Sequence, residues 1–159
     1  MTNEMRILTV RQPWAWAIIH GGKDVENRVR NLAGDYRGPV AIHAGLAIDK
    51  EAYESGVLGV AANRFDAPSL AKMPCGAIIG VVDLTDVHHS DRCGTTHYTN
   101  DHYDSDEHTF CSQWAEELDV YHLALANPRA LATPIPFKGA LGLRRLDADT
   151  IALMQKELA

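Results

Sequence analysis

Apolar positions recur along this chain with two periods, and the changes of period mark out its elements. Ile7 to Val10 is a short apolar and β-branched run, the pattern of a first strand. Pro13 suits the first turn of a helix; Trp14, Ala17, Ile18 and Gly21 then recur on one face, and Gly21-Gly22 ends it. From Val25 to Arg30 the period becomes two, with Val25, Asn27 and Val29 on one face and Glu26, Arg28 and Arg30 on the other. A turn over Asp35 to Pro39 leads into a third strand, Val40 to His43. Asp49 to Gly56 has a helical pattern, and Asn63 to Pro74 reads as a connection with one further turn of helix. Ala77 to Val87 is the clearest strand, with Asp83 interrupting an apolar run. Tyr121 to Ala126 and Ala140 to Leu146 read as two more strands, separated by the proline-punctuated segment NPRALATPIPFKG. Asp147 to Leu158 closes as an amphipathic helix with Ile151, Met154 and Leu158 on one side. About six short strands with helices at the margins predict an α+β domain built on a small β-barrel.

Composition changes this picture little. A chain of 159 residues, 46% hydrophobic and 23% charged, fits one ordinary globular domain spanning 1–159. No run reaches the ~18 apolar residues of a membrane span, and MTNEMRILTV lacks the pattern of a signal peptide. Cys75, Cys93 and Cys111 are odd in number and lack C-x-x-C spacing, which predicts reduced thiols in a cytoplasm.

Charge changes it more. The net charge of −6 argues against a general polyanion binder. Ten acidic residues and one basic residue lie between Asp83 and Asp119, so the remainder is mildly basic. Any nucleic-acid contact is therefore expected to be local, and repulsion by the acidic segment disfavours long duplexes.

The densest chemistry lies between Leu8 and Arg30. Lys23 falls at the junction of helix and strand, and Glu26 and Arg28 share one strand face, about 7 Å apart by strand rise. Polar groups concentrated between apolar elements are costly to bury for stability alone, so a cleft is expected here. A nucleophilic lysine must be neutral, whereas a charged Lys23 beside Glu26 could grip an anion or a base edge. A structural Glu–Arg pair is the plainer alternative.

Trp14, Trp16 and Trp114 are candidate stacking platforms for a base. Trp14 is expected on the inward face of its helix, Trp16 elsewhere, and Trp114 at the cap of a pocket. Arg6, Arg11, Arg30, Arg37, Lys138, Arg144 and Arg145 supply basic groups, and His43 is a core histidine or a base-edge contact. His88, His89, Cys93, His97, His102, His108 and Cys111 invite a zinc reading through H-x3-C and C-x3-H spacing. Gly94, Thr95, Thr96, Asn100 and Asp101 argue against the helix that this spacing needs. No metal or other cofactor is expected, and the segment from about 88 to 110 is read as a mobile, acidic, histidine-rich lid.

Three segments together resemble activating signal cointegrator homology (ASCH) domains. RQPWAWAIIHGGKDVENR carries their G-x-K-x-x-E-x-R signature, and YRGPVAIHAG with GAIIGVVDLTDV resembles their central strands. YHLALANPRALATPIPFKGALGL resembles the closing stretch of the longer members, the subgroup of the endothelial-overexpressed lipopolysaccharide-associated factor. The resemblance implies a fold related to the pseudouridine synthase and archaeosine transglycosylase (PUA) RNA-binding domain, with a cleft beside the first helix. Arg11 and Lys138 stand within these motifs, which marks them among the basic residues as ligand contacts. A small bacterial relative is an amidohydrolase acting on N4-acetylcytidine; it resembles this chain at its nucleophile, Lys23, and at Arg28, while Glu26 stands where it has a catalytic threonine. The resemblance thus predicts a domain that binds a nucleoside or short single-stranded RNA around Lys23, Glu26 and Arg28, and no membrane. A hydrolase using Lys23 (amidohydrolase or ribonuclease) and a protein-interaction adaptor are the rival expectations.

Overall fold

Along the chain the elements are β1 (Arg6–Gln12), α1 (Trp14–His20), β2 (Val25–Arg28), β3 (Gly38–Ile48), α2 (Gly56–Arg64), β4 (Ala77–His89), β5 (Tyr121–Pro136), β6 (Leu143–Arg145) and α3 (Ala148–Leu158). Single 3-10 turns lie at Ala52–Glu54, Leu70–Lys72 and Ser90–Arg92. The computed structural model describes residues 4–93 and 110–158. The α+β class read from the sequence is the class observed. One six-stranded sheet has the order β2-β5-β4-β3-β1-β6, with β1 parallel to β3 and every other pair antiparallel.

That order is linear, so the expected barrel is not closed. Its two ends are short strands: among the described residues β2 pairs only with β5, and β6 pairs only with β1. The sheet nevertheless curls far enough for the Arg28 side chain on β2 to reach the Thr9 carbonyl on β1 at 2.9 Å. A guanidinium spans the seam that backbone pairing leaves open.

Alternation along the strands divides the core between two faces. Leu8, Val10, Val40 and Ile42 point to one face with Ala15, Ile18 and Ile19 of α1. Ile7, Ala41, Ile78 and Val81 point to the other, where Ile151 and Met154 of α3 cover them. Gly80 lets α1 seat closely on β4, because a Cβ there would meet Ile19 Cδ1 at 2.6 Å and the Arg129 carbonyl at 2.7 Å. A third cluster joins α1 to α2 through Trp16, Ala17, Leu58 and Ala61.

Two expectations are corrected. The segment NPRALATPIPFKG is not a connection, because β5 runs unbroken to Pro136. Its prolines are accommodated by position. β2 pairs with residues Tyr121 to Ala124 of β5, so beyond Ala124 one edge of β5 lacks a strand partner among the described residues. Register shifts against β4 fall between Ile78 and Gly80 and between Val81 and Asp83, opposite Pro134 and Pro128. The helix expected at 49–56 is displaced to Gly56–Arg64. Gly56 and Gly59 mask it in the sequence, and burial of Leu58 and Ala61 outweighs their poor propensity. Among the described residues no helix is long and apolar enough to cross a membrane.

Candidate functional site

The end of α1 delivers Lys23 to the interior. The Ala17 carbonyl accepts the amides of both Gly21 (2.9 Å) and Lys23 (3.0 Å). Gly22 between them takes φ +75°, which an L side chain rarely adopts, and the chain doubles back beneath the helix. Lys23 is 5% exposed and Glu26 is 8% exposed. The Lys23 ammonium donates to the Val25 carbonyl and, at 3.0 Å, to Glu26 Oε2. Glu26 Oε1 accepts from Arg28 Nε at 3.1 Å. Alternation on β2 puts Glu26 and Arg28 on one face, as read from the sequence. The result is a continuous cation–anion–cation chain from the end of α1 to the backbone of β1.

This chain floors a two-lobed cleft. Trp14, Glu26 and Asn27 line both lobes. The first lobe, about 310 Å³, is closed by Lys23, Asp49, Ser55, Gln113, Trp114 and Glu116. The second, about 710 Å³, follows the open seam past Arg11, Arg28, Leu46 and Leu141. Three carboxylates oppose one ammonium in the first lobe, whereas two guanidinium groups oppose Glu26 in the second. One lobe is net acidic and the other net basic.

The two tryptophans of α1 exchange their expected places. Trp16 is 6% exposed and packs into the α1–α2 core, so it is not available for stacking. Trp14 is half-buried, its Nε1 donating to Asp49 Oδ2 at 2.9 Å and its ring 5.7 Å from the Lys23 ammonium. With one indole edge tethered, the ring is held on the cleft wall. The reversal follows from α2, which covers the Trp16 side of the helix and was misplaced in the sequence reading. Trp114 is a buried wall residue whose Nε1 has no hydrogen-bond partner among the described residues.

Among the remaining candidates, exposed Arg11 lines the second lobe. His43 lies outside the cleft: it is buried, with Nδ1 3.2 Å from Thr9 Oγ1 and Nε2 2.7 Å from the Phe137 carbonyl. Both ring nitrogens are engaged, which makes it a core histidine. Lys138 is exposed and lines neither lobe. Arg6 and Arg145 pair with Glu4 at 2.8 and 3.4 Å, and Arg37 lies 4.0 Å from Asp86. Arg144 donates to the Leu141 carbonyl, and Arg30 is exposed.

The sequence reading missed Gln12, Asn27 and Asp49. Gln12 is wholly buried; its Oε1 accepts the Trp16 amide at 2.8 Å and its Nε2 donates to the Pro74 carbonyl at 2.9 Å, fixing the start of α1. Asn27 binds the far wall with both ends of its amide: Nδ2 donates to the Trp114 carbonyl (2.8 Å) and Oδ1 accepts the Glu116 amide (3.0 Å). A polar residue between Val25 and Val29 was the available signal. Ser112 adds a hydrogen bond to the Asp24 carboxylate.

The histidine- and cysteine-rich segment is described only in part. His97, His102, His108 and most of the expected lid lie outside the described residues. His89 lies between Asp91 (2.7 Å) and Asp119 (2.6 Å). Hydrogen bonds that its ring donates to these carboxylates, to Asp91 foremost, hold its imidazole above the ordinary pKa. His88, Cys93 and Cys111 converge with His122, a residue the sequence reading did not include. The sequence pattern lacks the helix that would gather such groups by spacing alone. Strand pairing brings them together instead, because His88 and His122 are register partners on β4 and β5.

Comparison with known proteins agrees with this architecture. The ASCH domain family matches residues 8–131 of the chain. Two solved structures from Zymomonas mobilis are similar, each at 15% identity. A point mutant of its ASCH protein aligns over 98% of this chain and 99% of that one, with a TM-score of 0.55. The crystal structure of ASCH from the same organism aligns over 98% and 96%, with a TM-score of 0.50. At such identity the likeness shows the fold alone. No curated protein matches the chain.

Proposed function

Because this chain belongs to the ASCH domain family, a PUA-like family associated with RNA, we propose that its cleft binds a nucleoside or one unstacked base of a short single-stranded RNA. The observation that carries the proposal is the near-complete burial of Lys23 and Glu26 at the floor of an open cleft beside the tethered Trp14 ring. Removing two charges from water costs several kcal/mol per ion before pairing offsets it, and an apolar pair would serve stability as well. A lobe of about 310 Å³ also falls at the lower end of the range, roughly 300–1,000 Å³, typical of small-ligand sites.

The polarity of the cleft supports an orientation. A base stacks on Trp14 in the acidic lobe, where Glu26 accepts from its amino edge and the remaining ammonium proton of Lys23 donates to a ring acceptor. The sugar and phosphate leave through the basic lobe past Arg28 and Arg11. Lys23 serves here as a donor. The Glu26 carboxylate that pairs with Lys23 at 3.0 Å stands where the hydrolase relative has its catalytic threonine, and this weighs against the hydrolase reading.

The test is titration of nucleosides, N4-acetylcytidine among them, and short RNA and DNA strands, followed by tryptophan fluorescence. Saturable binding is expected. Stacking is worth about 1–3 kcal/mol per base, so Trp14→Ala should weaken it by roughly 5–150-fold. If nothing single-stranded or nucleoside-like binds, the proposal fails and an adaptor role takes its place. If N4-acetylcytidine is deacetylated by the wild type and not by Lys23→Arg, the chain is a hydrolase.

A further inference from the structure

We propose that His88, Cys93, Cys111 and His122 form a tetrahedral centre for one zinc-class ion, separate from the cleft, that fixes the cleft wall from behind. Register pairing places His88 on β4 opposite His122 on β5. The 3-10 turn Ser90–Arg92 brings Cys93 back toward them, and Cys111 completes the group. One ligand atom from each residue lies within 4.8 Å of all the others.

The dimensions fit zinc. With Zn–N of about 2.1 Å and Zn–S of about 2.3 Å, a tetrahedral site has N···N edges near ~3.4 Å and N···S edges near ~3.6 Å. The His122 Nδ1···His88 Nε2 separation is 3.3 Å, and Cys111 Sγ···His122 Nδ1 is 3.7 Å. The rings stand nearly perpendicular, at 87°.

Proton positions make the same case independently. His122 Nε2 lies 2.8 Å from the Glu116 carbonyl, an oxygen that can only accept, so Nε2 carries the hydrogen. His88 Nδ1 lies 2.8 Å from the Asp86 carboxylate and carries its hydrogen likewise. In the neutral rings, His88 Nε2 and His122 Nδ1 then present lone pairs to each other at 3.3 Å. A cation between them turns that repulsion into coordination. The carbonyl and carboxylate behind the rings are the outer partners that metal-bound histidines usually have. The Cys111 amide donates to Cys93 Sγ at 3.1 Å, a bond that supports a thiolate. Binding a divalent ion forms two metal–sulfur and two metal–nitrogen bonds and releases both thiol protons to solvent.

Two thiolates and two imidazoles select zinc over magnesium or calcium, and four protein ligands leave no open position for catalysis. The role is structural. Cys111 lies three residues before Trp114, and His122 holds the Glu116 carbonyl, so the ion braces the segment that Asn27 docks against the cleft.

The test is metal analysis of the reduced full-length chain, followed by chelation and titration with cobalt(II). About one zinc per chain is expected, together with the absorption of tetrahedral cobalt and a thiolate charge-transfer band. The band should weaken to that of the one remaining thiolate, Cys93, in Cys111→Ser, an exposed ligand, while the wild-type band decides the matter if that variant fails to fold. Chelation should lower the melting temperature. Less than about a tenth of an equivalent of metal with no cobalt band would overturn the proposal, as would a cobalt spectrum unchanged in Cys111→Ser or a Cys93–Cys111 disulfide in the purified protein. None of these readouts involves nucleoside binding, so this site and the cleft can fail separately.

Discussion

Replacing Glu26 by glutamine tests whether the charge chain is as tightly coupled as its geometry implies. The substitution keeps the shape and removes the charge that Lys23 and Arg28 share. The two cations do not suffer equally. The Arg28 side chain is 29% exposed and keeps its bond to the Thr9 carbonyl, so water screens it. The Lys23 side chain is 4% exposed and would retain only the Val25 carbonyl and at best the amide oxygen. Breaking a buried pair from one side costs about 3–5 kcal/mol. Glutamine still accepts one hydrogen bond, so about 2–4 kcal/mol is expected. At about 2–4 °C per kcal/mol for a chain of this size, the melting temperature should fall by roughly 5–15 °C. Urea unfolding followed by tryptophan fluorescence, with and without Lys23→Met, completes a double-mutant cycle. The double variant should recover much of the loss, because it no longer buries an unpaired ammonium. A Glu26→Gln loss below about 0.5 kcal/mol, the usual scale of surface substitutions, would refute the coupling and mean that Lys23 reaches solvent.

Trp16→Ala should cost about 3–5 kcal/mol, as for other buried aromatics, and Trp14→Ala distinctly less, while nucleoside binding responds in the opposite order; equal effects in both assays would contradict the exchange of roles. RNA affinity should fall with a log–log salt slope of only about two to three, the phosphate contacts that Arg11, Arg28 and one further cation can supply, and a slope near ten would reveal a longer basic track. Asp147 accepts the Thr150 amide and hydroxyl at 2.8 and 2.7 Å, and these bonds, the amide first, hold its carboxyl below the ordinary value of 3.8. Since its folded pKa is the lower one, its contribution is complete above the unfolded value and is lost as pH falls through the folded one. The protection factor of the Thr150 amide, its exchange rate corrected for the intrinsic pH dependence, should therefore fall on acidification in the wild type and be largely pH-independent in Asp147→Asn; a wild-type transition above pH 3.8 would contradict the assignment.

Periodicity carried much of the fold. The alternation of Val25, Glu26, Asn27 and Arg28 put the carboxylate and guanidinium on one face, and the ends of α1 and α3 are written in Gly21-Gly22 and Asp147. These are local effects, decided by backbone geometry within a turn or two. The charge chain was legible for the same reason, since Lys23, Glu26 and Arg28 are neighbours in sequence. What needed the tertiary structure was everything that depends on distant partners. The prolines of β5 look like breaks until β2 is seen to leave that edge unpaired. Trp14 and Trp16 cannot be sorted without α2. The barrel was read as closed, whereas its seam is spanned by Arg28, a contact that curvature sets and periodicity does not encode. His122 lies in an apolar strand pattern, where nothing marks it as a partner for His88, Cys93 and Cys111. Hydrophobic period fixes which face a residue takes; only the pairing register fixes which residue it meets.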